Sequence, residues 1–405
     1  MAILSHDPLA LDRTEGRFSE NRRGGPRFGI RSNSTLTPST HSHIDIVLLA
    51  LTIGLLGFGL VMLYSTTGVT AQERFGDPLY FLKRQIAAGV IGFVLMLVAY
   101  KLPPRFWRFV SPYCFPLALA LLIFPLIPGI GQSGGGASRW VSVAGVRFQP
   151  GEVSKLCFIL FLAGYFARHE TKLESFSKGV FKPLLLVAPV AILYLSQPDF
   201  GSFSLVLIVG LIMALAAGVR LRYLVISGVG ALFAMGILVL VSPYRMKRVL
   251  SFLEPAADAS GKGYQLIQSL IAVGSGQLTG VGLGGSQQKL FFLPAAHTDF
   301  IFSVIAEELG FLGGLGVIVV FLLILWRGLS IAARYFNNTF FFSLTVGLTM
   351  LIALPAFLNV GVATGLLPTK GMVLPLVSYG GTNLVVTLIA MGILLSLAKG
   401  PQSTE

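Results

Sequence analysis

The chain has 405 residues, 54% of them hydrophobic and only 12% charged, with a formal net charge of +13. A soluble domain carries about 25% charged residues, so too little polar material remains here to cover a water-facing surface, and a soluble globular fold is excluded. The cations stand in short clusters between apolar runs, which suits cytoplasmic flanks beside anionic membrane lipids and speaks against a nucleic-acid partner.

Residues 1–43 are rich in Arg, Ser, Asn, Thr and Pro and have no apolar period. They read as a disordered, basic cytoplasmic tail. The tail lacks the apolar core and cleavage site of a secretory signal, so the first apolar run, after Asp45, should serve as an uncleaved anchor. Ten apolar runs follow in series: 45–65, 84–100, 111–129, 152–167, 182–197, 201–217, 223–242, 300–326, 340–361 and 372–398. They predict an all-α polytopic membrane protein of ten transmembrane helices over 44–399, closed by a short cytoplasmic tail, 400–405. With lipid as solvent, helices are the plain way to satisfy every backbone group. The runs 152–167 and 182–197 are short and need semi-polar flanks to reach the roughly 20 residues of a straight span. Cys114 and Cys157 both lie in apolar runs, and their number and spacing offer neither a disulfide framework nor a zinc site. No zinc-protease helix motif and no Walker loop occurs.

With the N-terminal tail inside, cytoplasmic segments hold eighteen of the thirty Lys and Arg residues. The short outer segments hold seven. Long loops are discounted in this comparison, and the excess sets both termini in the cytoplasm. The outer segments 130–151, 243–299 and 362–371 then face the extracytoplasmic side. The large loop 243–299, between helices 7 and 8, is the longest connection, and long loops are usually functional. Within it, residues 264–271 carry apolar side chains at helical spacing, which suits an amphipathic helix on the membrane face or one packed on the spans. The run Gly280-Val281-Gly282-Leu283-Gly284-Gly285-Ser286 does not follow a strand of a βαβ unit, so it reads as a flexible loop turn and not as a dinucleotide site.

Asp299 stands where this loop meets the eighth span, bordering both water and low dielectric, where a carboxylate's proton affinity is tunable. A helix N-cap explains an Asp there equally well. Glu307 and Glu308 follow, Glu307 about 12 Å deeper at helical rise. Intramembrane acids are functional candidates by default, and a buried ion pair with a base on another span is the structural alternative. In 130–155, Gly134-Gly135-Gly136 permits close backbone approach to a ligand. Arg139 and Lys155 are outer-face cations suited to a pyrophosphate. An interfacial anchor beside Trp140 accounts for Arg139 as well, and an i, i+3 pair with Glu152 accounts for Lys155.

Six stretches in order resemble the SEDS family (shape, elongation, division and sporulation) of bacterial membrane proteins. They are Gly135-Gly136-Ala137-Ser138-Arg139-Trp140; Gln149-Pro150-Gly151-Glu152 with Lys155; Gln197-Pro198-Asp199-Phe200-Gly201; and Gly263-Tyr264-Gln265 to Gln268-Ser269. His297-Thr298-Asp299-Phe300 with Glu307-Glu308, and Pro368-Thr369-Lys370-Gly371 to Ser378-Tyr379-Gly380-Gly381, complete the set. The resemblance runs from about residue 45 to 398 and is nearer the septal, cell-division (FtsW-type) branch than the rod-elongation branch. It implies ten spans and polymerisation of lipid II, the undecaprenyl-pyrophosphate-linked disaccharide-pentapeptide, into peptidoglycan glycan strands. The same resemblance implies a place in the bacterial inner membrane, at the division septum. By resemblance Asp299 is the essential carboxylate. Arg139, Lys155, Glu152, His297, Lys370 and Ser378 belong to the substrate-binding surroundings, and Glu307 and Glu308 support them from within the membrane. A divalent cation, magnesium or manganese, at Asp299 is an expectation of the same kind. So are a class B penicillin-binding transpeptidase and division regulatory proteins as partners.

The sequence departs from the family pattern at Ala295, where relatives have Glu, at Gly151, where they commonly have Ser, and at Thr382-Asn383 in place of a Ser pair. The first departure rules out a second catalytic carboxylate at position 295. Two rival readings are a lipid II flippase and a division scaffold without turnover. Against transport, no inverted repeat is evident and the charged features crowd the outer face instead of the midplane.

Overall fold

Each of the ten apolar runs carries a helix in the computed structural model, which describes residues 44–134, 137–143, 146–258, 261–290, 292–369 and 371–400. The tail 1–43, Gly135 and Gly136 of the glycine run, Lys370 and residues 401–405 lie outside the described residues. In chain order come α1 (Ile46–Phe75), α2 (Tyr80–Lys101), α3 (Pro104–Val110) and α4 (Cys114–Ile123), then α5 (Pro150–Arg168), α6 (Lys182–Ser196), α7 (Phe200–Ala216) and α8 (Leu221–Leu240). After the large loop come α11 (Ile301–Ala333), α12 (Thr339–Ala363) and α13 (Gly381–Leu397). Among the described residues eight helices are long and apolar enough to cross a membrane, α3 and α4 counting together. The apolar α7 and α13 are shorter.

Local chemistry sets several of the helix starts. The side chains of Asp45, Asp199 and Asn338 accept the backbone N–H of Leu48, Ser202 and Phe341 at 3.1, 3.1 and 3.2 Å, capping α1, α7 and α12. Each satisfies a donor that the first turn leaves orphaned. On the side of the α1 N-terminus, Asp45 also pairs with Arg327 of α11 at 2.7 Å.

Packing separates central from peripheral spans. The α5 span is 89% buried within the protein and α8 only 6%. Helix α5 touches α4, α7, α12 and α13, so it is the axis of the bundle, and α2 lies along α13. In α8 the residues Val225, Ile226, Val229, Leu232 and Phe233 are all exposed, as suits a lipid-facing helix.

The structure corrects the sequence reading, or decides between its alternatives, in four places. The expected span 372–398 is helical only from Gly381; residues 371–380 are non-helical yet mostly buried. Pro375, in the middle of this apolar stretch, cannot donate to a helical ladder, and burial in protein makes irregular backbone tolerable at this depth. Second, a small three-stranded antiparallel sheet stands between α4 and α5: β1 (Gly131–Gly134), β2 (Ala137–Val143) and β3 (Val146–Phe148). Third, the loop 243–299 has helices of its own, α9 (Pro243–Leu253) and α10 (Lys262–Ser275). Of the two readings of 264–271, packing on the spans is the one adopted. Leu266, Ser269 and Ala272 are buried, and Ser269 Oγ donates to Ala363 O at 2.7 Å and shares a 2.6 Å hydrogen bond with Ser303 Oγ.

The fourth place is the glycine run. It is docked, and it completes a broken helix. Within α11 the backbone of Gly310 leaves the helical region (φ 68°, ψ −167°). Such a break strands carbonyls and N–H groups where no water is available. The segment 277–282 meets them: Val281 N donates to Glu307 O and Gly282 N to Glu308 O, both at 3.0 Å, while Phe311 N donates to Gln277 O at 2.8 Å. The approach is so close that a Cβ on Gly310 would lie 2.3 Å from Gly280 N.

Candidate active site

Two straps meet on the side of the bundle where α2 and α13 begin. One is the end of the large loop, residues 293–300, which enters α11. Here Thr298 N and Asp299 N both donate to Ala295 O at 3.1 Å, forming a tight turn. The other is the segment 371–380, which enters α13. They are tied by Tyr379 N donating to His297 O (3.0 Å) and Ser378 Oγ donating to Thr298 O (2.6 Å). Ser378 Oγ also accepts from Leu374 N at 2.8 Å, which fixes its direction. The Asp299 carboxylate lies against the start of the second strap, since a Cβ on Gly371 would be 2.8 Å from Asp299 Oδ2. Helix α11 begins at Ile301 with Phe300 at the cap, so the N-cap explanation of Asp299 does not apply.

Spans brace the straps from behind. Gln85 of α2, buried, donates to Ser378 O (3.1 Å) and accepts from Gly380 N (3.2 Å). His297 packs its ring against Phe81 and Tyr379, with centroids 5.1 and 5.9 Å away. Burial, and then the positive charge of Arg74, push the His297 pKa down to about 4. It is therefore a neutral imidazole at neutral pH, a packing and hydrogen-bonding group beside Asp299 and not a cation.

Arg139 and Lys155 are each engaged with an acid. Strand β2 carries Arg139 to the break between α6 and α7, where Nε donates to Gln197 O at 3.1 Å and Nη2 to Pro198 O, and Nη1 lies 3.8 Å from Asp199 Oδ1. Its side chain keeps 29% exposure. Lys155, 6% exposed, donates to Glu152 Oε1 at 2.7 Å, the i, i+3 pair that its spacing allows. Glu152 Oε2 in turn accepts from Asn383 Nδ2 at 2.8 Å, and Gln149 N donates to Thr382 Oγ1 at 3.1 Å. The Thr382-Asn383 departure thus supplies two contacts that bind the start of α5 to the start of α13. A second bridge runs from Tyr194 OH to Gly151 O at 2.8 Å, joining α6 to α5. The path from Arg139 through Glu152 and Lys155 to Ser378 and Asp299 is continuous, built of side-chain and backbone hydrogen bonds and short lengths of chain.

Glu307 and Glu308 hold the docked loop. Glu308, fully buried, pairs with Lys289 at 2.7 Å and accepts from Ser65 of α1 at 2.7 Å. Its base lies on the large loop and not on another span, because the loop descends onto the α11 break. Glu307 accepts from Ser286 Oγ and, at 3.0 Å, from Gln287 N. Lys370 lies outside the described residues. Asn359 of α12 donates to Asp299 O and Met372 O at 2.8 and 2.6 Å. Gln85, Asn359 and Asn383 were not anticipated as site residues. Their signal in the sequence is a lone amide within or at the mouth of an apolar run.

The family model for the FtsW/RodA/SpoVE cell cycle proteins matches residues 46–402. The chain is 42% identical over 360 residues to the probable peptidoglycan glycosyltransferase FtsW of Thioalkalivibrio sulfidiphilus, covering 88% of this chain and 90% of that one. It is 39% identical to the stage V sporulation protein E of Bacillus subtilis, over 88% and 97% of the two chains. Among solved structures it is similar to a chain of a peptidoglycan synthase complex that coordinates polymerization and crosslinking (TM-score 0.71, 30% identity, 88% of this chain and 97% of that one). It is similar also to the rod shape determining protein RodA of Thermus thermophilus (TM-score 0.64, 27% identity, 89% and 98%). With a family match across nearly its whole length and this fold, the chain belongs to the FtsW/RodA/SpoVE family of multi-pass membrane proteins.

Proposed function

We propose that this chain is a peptidoglycan glycosyltransferase that polymerises lipid II into glycan strands and releases undecaprenyl pyrophosphate. The observation that carries the reading is Asp299: one carboxylate, half-buried, on a strap braced by two spans, in a chain about 40% identical to proteins named as peptidoglycan glycosyltransferases. In the proposed step the sugar 4-hydroxyl of one lipid II attacks the anomeric carbon of the growing strand. The new O–C bond forms as the bond to the pyrophosphate breaks, and Asp299 takes the hydroxyl proton as general base. Single displacement inverts the anomeric carbon.

Arg139, part of its guanidinium side chain exposed, meets the negative charge that grows on the leaving pyrophosphate. Lys155 contributes its charge from within its pair with Glu152. Lys370, His297 and Ser378 complete the surroundings of the acceptor sugar, and Glu307 and Glu308 fix the loop that feeds the strap. Magnesium is commonly bound by one or two carboxylates together with substrate phosphates. Asp299 is the residue of this chain that would hold such an ion. A magnesium or manganese ion held there would supply Lewis-acid assistance.

The chain acts at the division septum with ten crossings, both termini cytoplasmic, and with a class B penicillin-binding transpeptidase and division regulatory proteins as partners. The likeness to a subunit of a polymerising and crosslinking complex supports the transpeptidase. The test is the purified chain, with and without that partner, on labelled lipid II. Glycan ladders sensitive to muramidase are expected. Translocation of a fluorescent lipid II across vesicles, with no polymer formed, overturns the reading in favour of transport.

A further inference from the structure

Asn359 lies on α12, in the middle of an apolar run, and is 1% exposed. Its amide nitrogen donates twice, to Asp299 O at 2.8 Å and to Met372 O at 2.6 Å. One side chain thus joins the backbone of the acid to the strap lying against its carboxylate. The amide oxygen, Oδ1, has no hydrogen-bond partner although it is buried. An orphaned buried acceptor is destabilising, a penalty that a hydrophobic residue of the same shape would avoid. The orientation is not open to exchange, because a flipped amide would set its oxygen against two carbonyl oxygens. An aspartate would do the same with a charge. The position therefore calls for a two-hydrogen donor, and only a neutral amide of this length meets it.

We propose that Asn359 is a positioning residue for the glycosyl-transfer step, fixing the spacing between the Asp299 backbone and the 371–380 strap. The proposal rests on the reading of Asp299 as the base. Without this clamp the α11 strap is still tied at Thr298 and His297, but the bridge from the Asp299 carbonyl to Met372 of the second strap is lost. The loss falls on the chemical step and not on capture of the substrate, since Asn359 is buried behind the carboxylate. The chain bearing Asn359→Leu, and separately Asn359→Asp, is compared with the unaltered chain on labelled lipid II. Misplacement of a reacting group by about 1 Å costs on the order of 100-fold, so kcat is expected to fall about 10- to 100-fold. KM should stay within about threefold, the sign of an interaction needed in the transition state and not for uniform binding. Asn359→Asp, which opposes a carboxylate to the two carbonyls, is expected to fall at least as far as Asn359→Leu.

Melting temperature in detergent is recorded for each variant. A fall in kcat at unchanged KM, in a variant whose melting temperature is kept, sustains the proposal. Normal turnover by both variants overturns it, and so does a loss of rate that follows the loss of melting temperature. Asp299→Asn is run alongside. If that variant keeps the normal rate, the base assignment itself has failed and the clamp has nothing to position; if it is dead while both Asn359 variants are normal, only the clamp has failed.

Discussion

Lys155 and Glu152 show how a residue's surroundings redefine its part. Both are buried, and the ammonium is held at 2.7 Å by a carboxylate that also accepts from Asn383. Removing one partner of a buried pair leaves the other charged and uncompensated, at a cost of about 3–5 kcal/mol. Glu152→Ala is therefore expected to destabilise the chain by that order, read as a lowered melting temperature in detergent. Asn383→Ala removes one hydrogen bond to a charged group and should cost less, about 1.5–3 kcal/mol. Equal losses would show that the pair is not the unit. His297 makes a prediction in pH. Its folded pKa, about 4, lies below the ordinary imidazole value of 6.5, through burial and the charge of Arg74. The folded state thus favours the neutral ring, and that stabilisation is complete above pH 6.5 and lost as pH falls toward 4. Thermal stability should decline over that window in the native chain, and the decline should be shallower in His297→Gln. Parallel curves for the two chains would contradict the assignment.

At the scale of elements, the break in α11 and the loop that repairs it are one construction. Hydropathy reads 300–326 as an uninterrupted span and 280–286 as a turn, because apolar content reports burial and not backbone direction. Gly310 was the available signal, a residue that alone adopts φ 68° without strain, but a glycine in a membrane helix has many other uses. A side chain at Gly310 meets both the wrong backbone region and the loop backbone at Gly280 and Leu278. Gly310→Ala should destabilise by more than about 1 kcal/mol, and protease access to the 277–290 segment should rise with it. An unaltered melting temperature and cleavage pattern would show that the loop is not held by the break. The 371–380 strap escaped the sequence for the same reason. Met372, Leu374, Leu376 and Val377 are apolar because they are buried, and burial outside a helix leaves the same hydropathy trace as a span.

The whole molecule was legible to the extent that composition and periodicity govern it. Each of the ten apolar runs carries a helix, and several of the family motifs fall at the two straps, the α5 start and the α6–α7 break. What the sequence did not carry is the set of partners each motif residue has. Arg139 clamps the Gln197-Pro198-Asp199 break, and Glu308 finds its base on the loop and not on a span. Such pairings join residues up to several hundred positions apart, as Gln85 and Ser378 do, and no local pattern encodes them. The arrangement that results sets Asp299 at the junction of the two straps, and the account requires that this acid perform the proton transfer. The direct measurement is glycan polymerisation from labelled lipid II by the full chain bearing Asp299→Asn, with its melting temperature checked against the unaltered chain. The account predicts a folded protein that forms no glycan ladder, and ladders of normal length at the normal rate would contradict it.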